Sequence, residues 1–402
     1  MNVLSTRDYI ALEDGYIAHN YKPLDVVITR AEGARVWDTE GRKYLDCLSA
    51  HSALNQGHCH PRIVRVMVEQ AQRLALTSQA FRNDQLPLLA EELCELTGYE
   101  MVLPMNSGTE AVETALKAVR RWGYTVKGVP DGQAEIIACD GNFHGRTITV
   151  ITFSPEEQCR DGFGPFTSGF KLIPYADAEA LERAITPNTV AFLFEPIQGE
   201  GGVVVPPKGY IRDVREICTE HNVLMVADEI QTGLGRTGKL LACEHEGVRS
   251  DVVTLGKALS GGMYPVSAVL ASREVLGVLG PVDHDSILSG SPLACAVARE
   301  ALQVIVDENL CQRAAELGDY FITRLQAIES PYVALCRGKG LLVGIVLKPQ
   351  AGGARRFCEA LKERGVLTKE THGNIIRLTP PLIVTKEELD WALERIEDVL
   401  CG

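Results

Sequence analysis

Six short apolar runs, separated by stretches of helical periodicity, constrain this chain more than any other feature. They read "EIIAC", "TITVITF", "VAFLFE", "VLMVAD", "DVVTLG" and "VSAVLA", and they begin only after about residue 100. Several lack polar alternation, which is the pattern of strands covered on both faces. Helical segments between them predict a mainly parallel, doubly wound α/β sheet that binds ligands at the carboxyl ends of its strands. The two ends of the chain read differently. The opening stretch to Asp46 predicts a helix and then a small hairpin, because "ARVWDTEGRKYLDC" alternates apolar and polar residues around a Glu40-Gly41 turn. After about residue 295 a long helical stretch leads into "GKGLLVGIVL", a further helix and "IIRLTPPL". This predicts an α+β unit that joins the N-terminal hairpin in one small domain. The expected division is residues 1–48 and 296–402 for the small domain and 49–295 for the large one, with a site in the cleft between them.

Composition removes several function classes. A chain of 402 residues with 46% hydrophobic and 23% charged residues has the balance of a globular enzyme. Forty basic against fifty-three acidic residues leave a net charge of −13, which argues against nucleic acid as a partner. No apolar run approaches the ~20 residues of a bilayer span, and acidic residues in the opening stretch fit neither a signal nor a transit peptide. Twelve scattered cysteines without a C-x-x-C pair point to reduced thiols and a cytoplasmic setting. The trio His58-Cys59-His60 reads as a structural loop, since adjacent residues point apart and no second ligand pair accompanies them.

The chemistry concentrates at Lys257. It follows the apolar segment Asp251 to Leu255 in a Gly- and Ser-rich stretch, and another apolar segment ends on Asp228. Adjacent parallel strands would deliver this acid and this amine to one sheet edge. A lysine that forms an imine needs such a place, with little water to hold its proton. An aspartate beside it suits a cofactor's pyridinium nitrogen.

A helix is predicted to start just after Ser107, where Ser107 and Glu110 form a capping box. Val112, Ala115, Leu116 and Val119 give it an apolar stripe, Glu113 and Lys117 a surface pair, and Gly123 an end. The free N–H groups of Gly108, Thr109 and Glu110 suit a phosphate. "GLGRTG", Gly233 to Gly238, matches a dinucleotide fingerprint, but "EIQT" separates it from the strand and no clear amphipathic helix follows. "CDGNFHGRT" places Phe143, His144 and Arg146 after a strand, where an aromatic could stack on a flat cofactor and an arginine could hold a carboxylate. Glu200 and Arg377 add an acid and a base from distant parts of the chain.

Together these residues resemble the class-III, fold-type I pyridoxal-phosphate aminotransferases. The resemblance runs from "HNYKPL" to "IIRLTPPL", with its longest blocks "GYTVKG", "GNFHGRT", "DGFGPF", "ADEIQTGLGRTG" and "LGKALSGGMYPVSAVL". It implies a homodimer that uses pyridoxal 5'-phosphate to move the δ-amino group of L-ornithine to 2-oxoglutarate in a ping-pong cycle. Lys257 would hold the cofactor covalently and shuttle the proton. Asp228 would pair with the pyridinium nitrogen and Gln231 with the phenolic oxygen. Phe143 and Ile230 would sandwich the ring, while Gly108 and Thr109 would donate to the phosphate. Tyr21 and Arg146 would hold the amino-acid end of ornithine. Glu200 would pair with Arg377 and release it when the dicarboxylate arrives. The rival readings are another ω-aminotransferase, acting on N-acetylornithine, 4-aminobutyrate or lysine, and a non-catalytic binding subunit that keeps the fold.

Two departures from the family pattern matter. His51 stands where a tyrosine usually lines the substrate pocket, so selectivity for ornithine is expected to relax. The segment that reaches the neighbouring subunit's cofactor phosphate reads roughly H-G-S-T-Y-G-G-N-P in the family and "HDSILSGSP" here. Ser286 remains, but Ile287 replaces the threonine. Losing a hydrogen bond to a charged group costs about 1.5–3 kcal/mol, or about one to two decades of affinity. Ile287→Thr is therefore expected to tighten pyridoxal-phosphate binding by that amount in equilibrium dialysis, and an unchanged affinity would reject the assignment.

Overall fold

The computed structural model describes residues 4–402. Its centre is a seven-stranded sheet of β1 (Met101–Met105), β2 (Glu135–Cys139), β3 (Phe170–Ile173), β4 (Thr189–Phe194), β5 (Leu224–Asp228), β6 (Val252–Leu255) and β7 (Ser267–Ala271). The spatial order is β1-β7-β6-β5-β4-β2-β3. Only β7 runs against its neighbours. All residues of β4, β5, β6 and β7 are buried, as unalternating apolar strands require.

One expected strand is absent. "TITVITF" forms a single helical turn, Ile148–Ile151, opened by Thr147, whose hydroxyl accepts from the Val150 amide at 3.2 Å. A β-branched run too short to show its period was decided by that cap. The helix α1 (Gly108–Trp122) begins at its capping box and buries Val112, Ala115, Leu116 and Val119. It does not stop at Gly123. A π-helical turn carries it on to Gly128, whose left-handed backbone (φ 81°) ends it. The expected Glu113–Lys117 pair is also not formed: Glu113 accepts from the Thr147 hydroxyl at 2.5 Å, and Lys117 donates to the Asp283 carbonyl at 2.8 Å. Tertiary partners outcompete an exposed pair of that kind, which contributes only about 0.2–0.5 kcal/mol.

The chain ends meet. Strands Ile28–Glu32, Arg35–Asp38 and Lys43–Asp46 form a sheet completed by Val366–Leu367, which lies parallel to the last of them. Leu45 and Cys47 donate their amides to the carbonyls of Gly365 and Leu367, each at 2.8 Å. A second, antiparallel sheet holds Val333–Lys339, Leu342–Leu347, Ile375–Leu378 and Lys369–Thr371. The long helical stretch before it is two helices, α2 (Pro292–Asp307) and α3 (Leu310–Gln326), broken where Asn309 turns left-handed at φ 53°.

Two buried polar side chains fasten these parts. Arg236, from the glycine-rich "GLGRTG" segment, is fully buried and donates to the carbonyls of Leu341 and Pro380 and to Asn55 Oδ1 at 2.6–2.9 Å. Gln56 Nε2 donates at 3.0 Å to the carbonyls of Ala258 and Ala301. His58 and His60 pair with Asp46 and Glu308, and no metal-binding cluster occurs among the described residues.

Helix α3 crosses the hairpin turn at Gly340 so closely that a Cβ on Gly318 would lie 2.3 Å from backbone atoms of Gly340. Gly318→Ala is thus expected to destabilise the protein by about 1–3 kcal/mol in urea unfolding. Gly15→Ala, in a helix with open space around the added methyl, is expected to be neutral or stabilising. Equal midpoints for the two variants would refute the close-packing account.

Candidate active site

The loops that follow β1, β2, β4, β5 and β6 converge on one side of the central sheet. They enclose a cleft of about 170 Å³. The β6 segment brings Lys257, the β5 segment Asp228, Ile230 and Gln231, the β2 loop Phe143, the β4 loop Glu200, and the start of α1 Gly108 and Thr109. Because β5 and β6 are adjacent and parallel, with Asp228 opposite Thr254, the acid and the amine reach the same edge.

Asp228 is 4% exposed. Its Oδ1 accepts from the Thr254 hydroxyl at 3.0 Å and the Ile230 amide at 3.1 Å, and its Oδ2 faces His144 Nδ1 at 2.6 Å. The His144 contact completes the ring of polar groups around this buried carboxyl. Burial disfavours charge on this imidazole, but the Asp228 carboxylate outweighs it and raises His144 above its ordinary value. The buried Nε2 of His144 has no hydrogen-bond partner among the described residues.

Glu195 lies below this pair. Burial pushes its carboxyl up to about 7, against the pull of His144 and of the Phe143 and Gly199 amides at 3.0 and 3.4 Å. Lys257 is shifted the other way, because burial lowers its amine while Glu200 resists. An ammonium stripped of water holds its proton loosely. Lys257 also sits at φ 43°, in the left-handed region for a residue with a side chain, held by the Leu259 amide on the Gly256 carbonyl at 2.9 Å.

The far end of the cleft is an ionic cluster. Glu200 Oε1 accepts from Arg377 Nη1 at 2.5 Å and from Gln231 Nε2 at 3.4 Å. Burial would raise Glu200, but His51, Arg377 and Lys257 hold it well below the usual carboxylate range. Arg377, on strand Ile375–Leu378, has a side chain 1% exposed. His51 lies on a turn in which Ser49, Ala50, His51 and Ser52 all have positive φ, between 45° and 72°. Such a run costs about 1–2 kcal/mol per residue. It is held by the Leu48 and Ser49 amides on Asp46 Oδ1, at 2.9 and 2.8 Å, and by Ser49 Oγ on the Thr379 carbonyl at 2.5 Å.

The remaining expected site residues lie outside the cleft. Tyr21 is 80% exposed on the segment after the first helix. Arg146 stacks over the Phe143 ring, 4.5 Å from its centroid, and leans toward Glu156 at 3.4 Å. Ser286 Oγ accepts from Asn106 Nδ2 at 2.8 Å, and Ile287 beside it is exposed. Sequence reasoning gave no role to Glu195, Thr254 or His144. Glu195 carried a usable signal, since it closes an unbroken apolar run as Asp228 does.

The family model described as "Aminotransferase class-III" matches residues 16–400. A protein of Bordetella pertussis named "Ornithine aminotransferase" is 59% identical over 389 residues, spanning 97% of this chain and 94% of that one. The ornithine aminotransferase structure from Toxoplasma gondii superposes with a TM-score of 0.98 at 46% identity, covering 99% of this chain and 95% of that one; its description reports partial occupancy of PLP at the active site. An acetylornithine aminotransferase from Elizabethkingia anophelis superposes with a TM-score of 0.90 at 48% identity, covering 99% of both chains.

The Glu195 carboxyl provides a direct test of the site's electrostatics. Its folded value lies above the 4.5 of an unperturbed glutamate, so the folded state holds the extra proton. Stability from this group is complete below about pH 4.5 and is lost as pH rises through about 7. Glu195→Gln should therefore flatten the fall in melting temperature between pH 5 and pH 8 relative to wild type. Parallel profiles would contradict the assigned shift.

Proposed function

This chain belongs to the class-III aminotransferase family, and from that premise we propose that it transfers the δ-amino group of L-ornithine to 2-oxoglutarate. The products are glutamate 5-semialdehyde, which cyclises to pyrroline-5-carboxylate, and glutamate. The observation that carries this reading is the pairing of one cleft with two ends: Asp228 and Lys257 at one, the Glu200–Arg377 pair at the other.

The enzyme is pyridoxal-phosphate dependent, and the residues present fit that cofactor. A buried anionic carboxylate, two backbone N–H groups at a capped helix start and a partly dehydrated lysine amine line one cavity. The cavity depends on small residues: a Cβ on Gly145 would lie 2.7 Å from Thr109 Oγ1. Asp228 would hold the ring nitrogen, Gln231 the phenolic oxygen, Phe143 and Ile230 the two ring faces, and Gly108 and Thr109 the phosphate. When bound, the cofactor supplies an electron sink for the bond made and broken at the substrate carbon. His144 keeps Asp228 charged and oriented. Lys257 Nζ would take the proton from that carbon and deliver it, on the same face, to the atom that gains it.

Glu200 neutralises Arg377 while a donor with a single carboxylate is bound, and its departure frees the guanidinium for the second carboxylate of 2-oxoglutarate. Tyr21 and Arg146 would hold the amino-acid end of ornithine. The chain would act as a cytoplasmic homodimer, with the exposed Ser286–Ile287 loop reaching the neighbouring cofactor. Its two functional units would be residues 49–295 and the small domain built from both chain ends. The likeness to an acetylornithine enzyme and the presence of His51 favour some breadth toward other ω-amines.

Single-turnover absorbance on the cofactor-loaded protein tests the substrate. L-ornithine should bleach the visible cofactor band quickly, with weaker but measurable rates for N-acetylornithine or 4-aminobutyrate. Comparable rates for all of these and L-lysine would make the enzyme a broad ω-aminotransferase. Bleaching by none would refute the reading.

A further inference from the structure

One nitrogen of His51 stands between a donor and an acceptor. Arg377 Nη2 lies against His51 Nδ1, and Glu200 Oε1 is 3.5 Å from that same atom. Against Arg377 Nη2, which can only donate, the neutral ring carries its proton on Nε2, accepts through Nδ1 and serves only the guanidinium. A charged ring carries N–H at Nδ1 and can serve only the carboxylate. The protonation state of His51 therefore selects which member of the Glu200–Arg377 pair it engages.

The surroundings make this choice consequential. Glu200 faces His51 from the loop after β4 and Arg377 from strand Ile375–Leu378, while Lys257 adds its charge beside Glu200. Gln231 Nε2 donates to the His51 carbonyl at 3.3 Å and reaches Glu200 as well. The His51 side chain is 41% exposed, so it exchanges protons with solvent, whereas Arg377 is sealed at 1%. The left-handed turn fixes where the ring stands. Histidine is the side chain whose charge ordinarily changes between about pH 5 and 8.

We propose that His51 is a proton-linked positioning residue: once protonated, it draws Glu200 off Arg377 and opens the guanidinium to the second carboxylate of a 2-oxo dicarboxylic acid. This rests on the Glu200–Arg377 exchange proposed above. The proton comes from solvent to His51 Nδ1 as the dicarboxylate binds, and it leaves again when the pair recloses. Neutral His51 instead adds a second acceptor to Arg377 and reinforces the closed pair used with the amine donor.

Calorimetric titration of the holoenzyme with glutarate, an unreactive dicarboxylate, in buffers of different ionisation enthalpy counts the protons taken up. Wild type should take up a substantial fraction of one proton, and its glutarate affinity should weaken by up to about tenfold per pH unit above the histidine range. His51→Gln should show neither effect. Glu200→Gln should bind glutarate more tightly at high pH and lose the uptake even though His51 is present. That second variant keeps the test decisive should His51→Gln fold poorly. Unchanged uptake and slope in His51→Gln would overturn the role of His51 while leaving the exchange standing. Unchanged glutarate affinity in Glu200→Gln would overturn the exchange and this proposal with it. Neither result depends on which amine is the donor.

Discussion

The buried guanidinium of Arg236 is the fastening on which the geometry around the cleft depends. It is fully enclosed, takes part in no salt bridge among the described residues, and spends its donors on Leu341 and Pro380 carbonyls and on Asn55. A buried charge without a counter-ion is expensive unless hydrogen bonds replace its water. Here they do so at both terminal nitrogens, while Nε has no partner among the described residues, and the acceptors come from different stretches of chain. Its remaining reach, 3.4 Å to Ser49 Oγ, ends on the first residue of the left-handed turn. Removing it would strand several buried acceptors at once, at about 1–3 kcal/mol for each.

The cleft separates two electrostatic tasks. At one end Asp228 meets the Thr254 hydroxyl, the Ile230 amide and His144, and it raises His144 against the burial that disfavours charge there. Nearby Glu195 is held closer to neutrality because burial penalises its charge more than His144 and two backbone amides offset. At the other end charge is plentiful but paired, with Glu200 drawn down by the cations around it. Lys257, at the Asp228 end, feels the charge of Glu200 as well, and burial leaves its amine easier to deprotonate than an ordinary lysine.

Much of this was legible in the residues themselves. The capping box of α1 and the strand-terminal positions of Asp228 and Lys257 follow from local pattern, and the structure forms both as read. The misreadings have physical causes. Residues 147–153 are rich in β-branched side chains, yet a Thr cap and a loop on each side make them one helical turn. Nothing in "LSAHSA" hints at four left-handed residues, since none is glycine and the bonds that impose the turn come from Asp46 and from Thr379, far along the chain. His144 looked like part of a turn because its meaning depends on Asp228, which only the sheet brings near.

The pairing of Lys43–Asp46 with Val366–Leu367 has a consequence for synthesis. A chain leaving the ribosome can complete its seven-stranded sheet once β7 is out, with Lys257, Asp228 and the capped start of α1 already in place. The strand from the beginning of the chain then waits for its neighbour, for on the order of several seconds at about 5–20 residues per second. Arg377 emerges later still. The Asp228 and Lys257 part of the cleft is therefore complete before the arginine that pairs with Glu200 exists, and the two ends of one cleft are finished at different times.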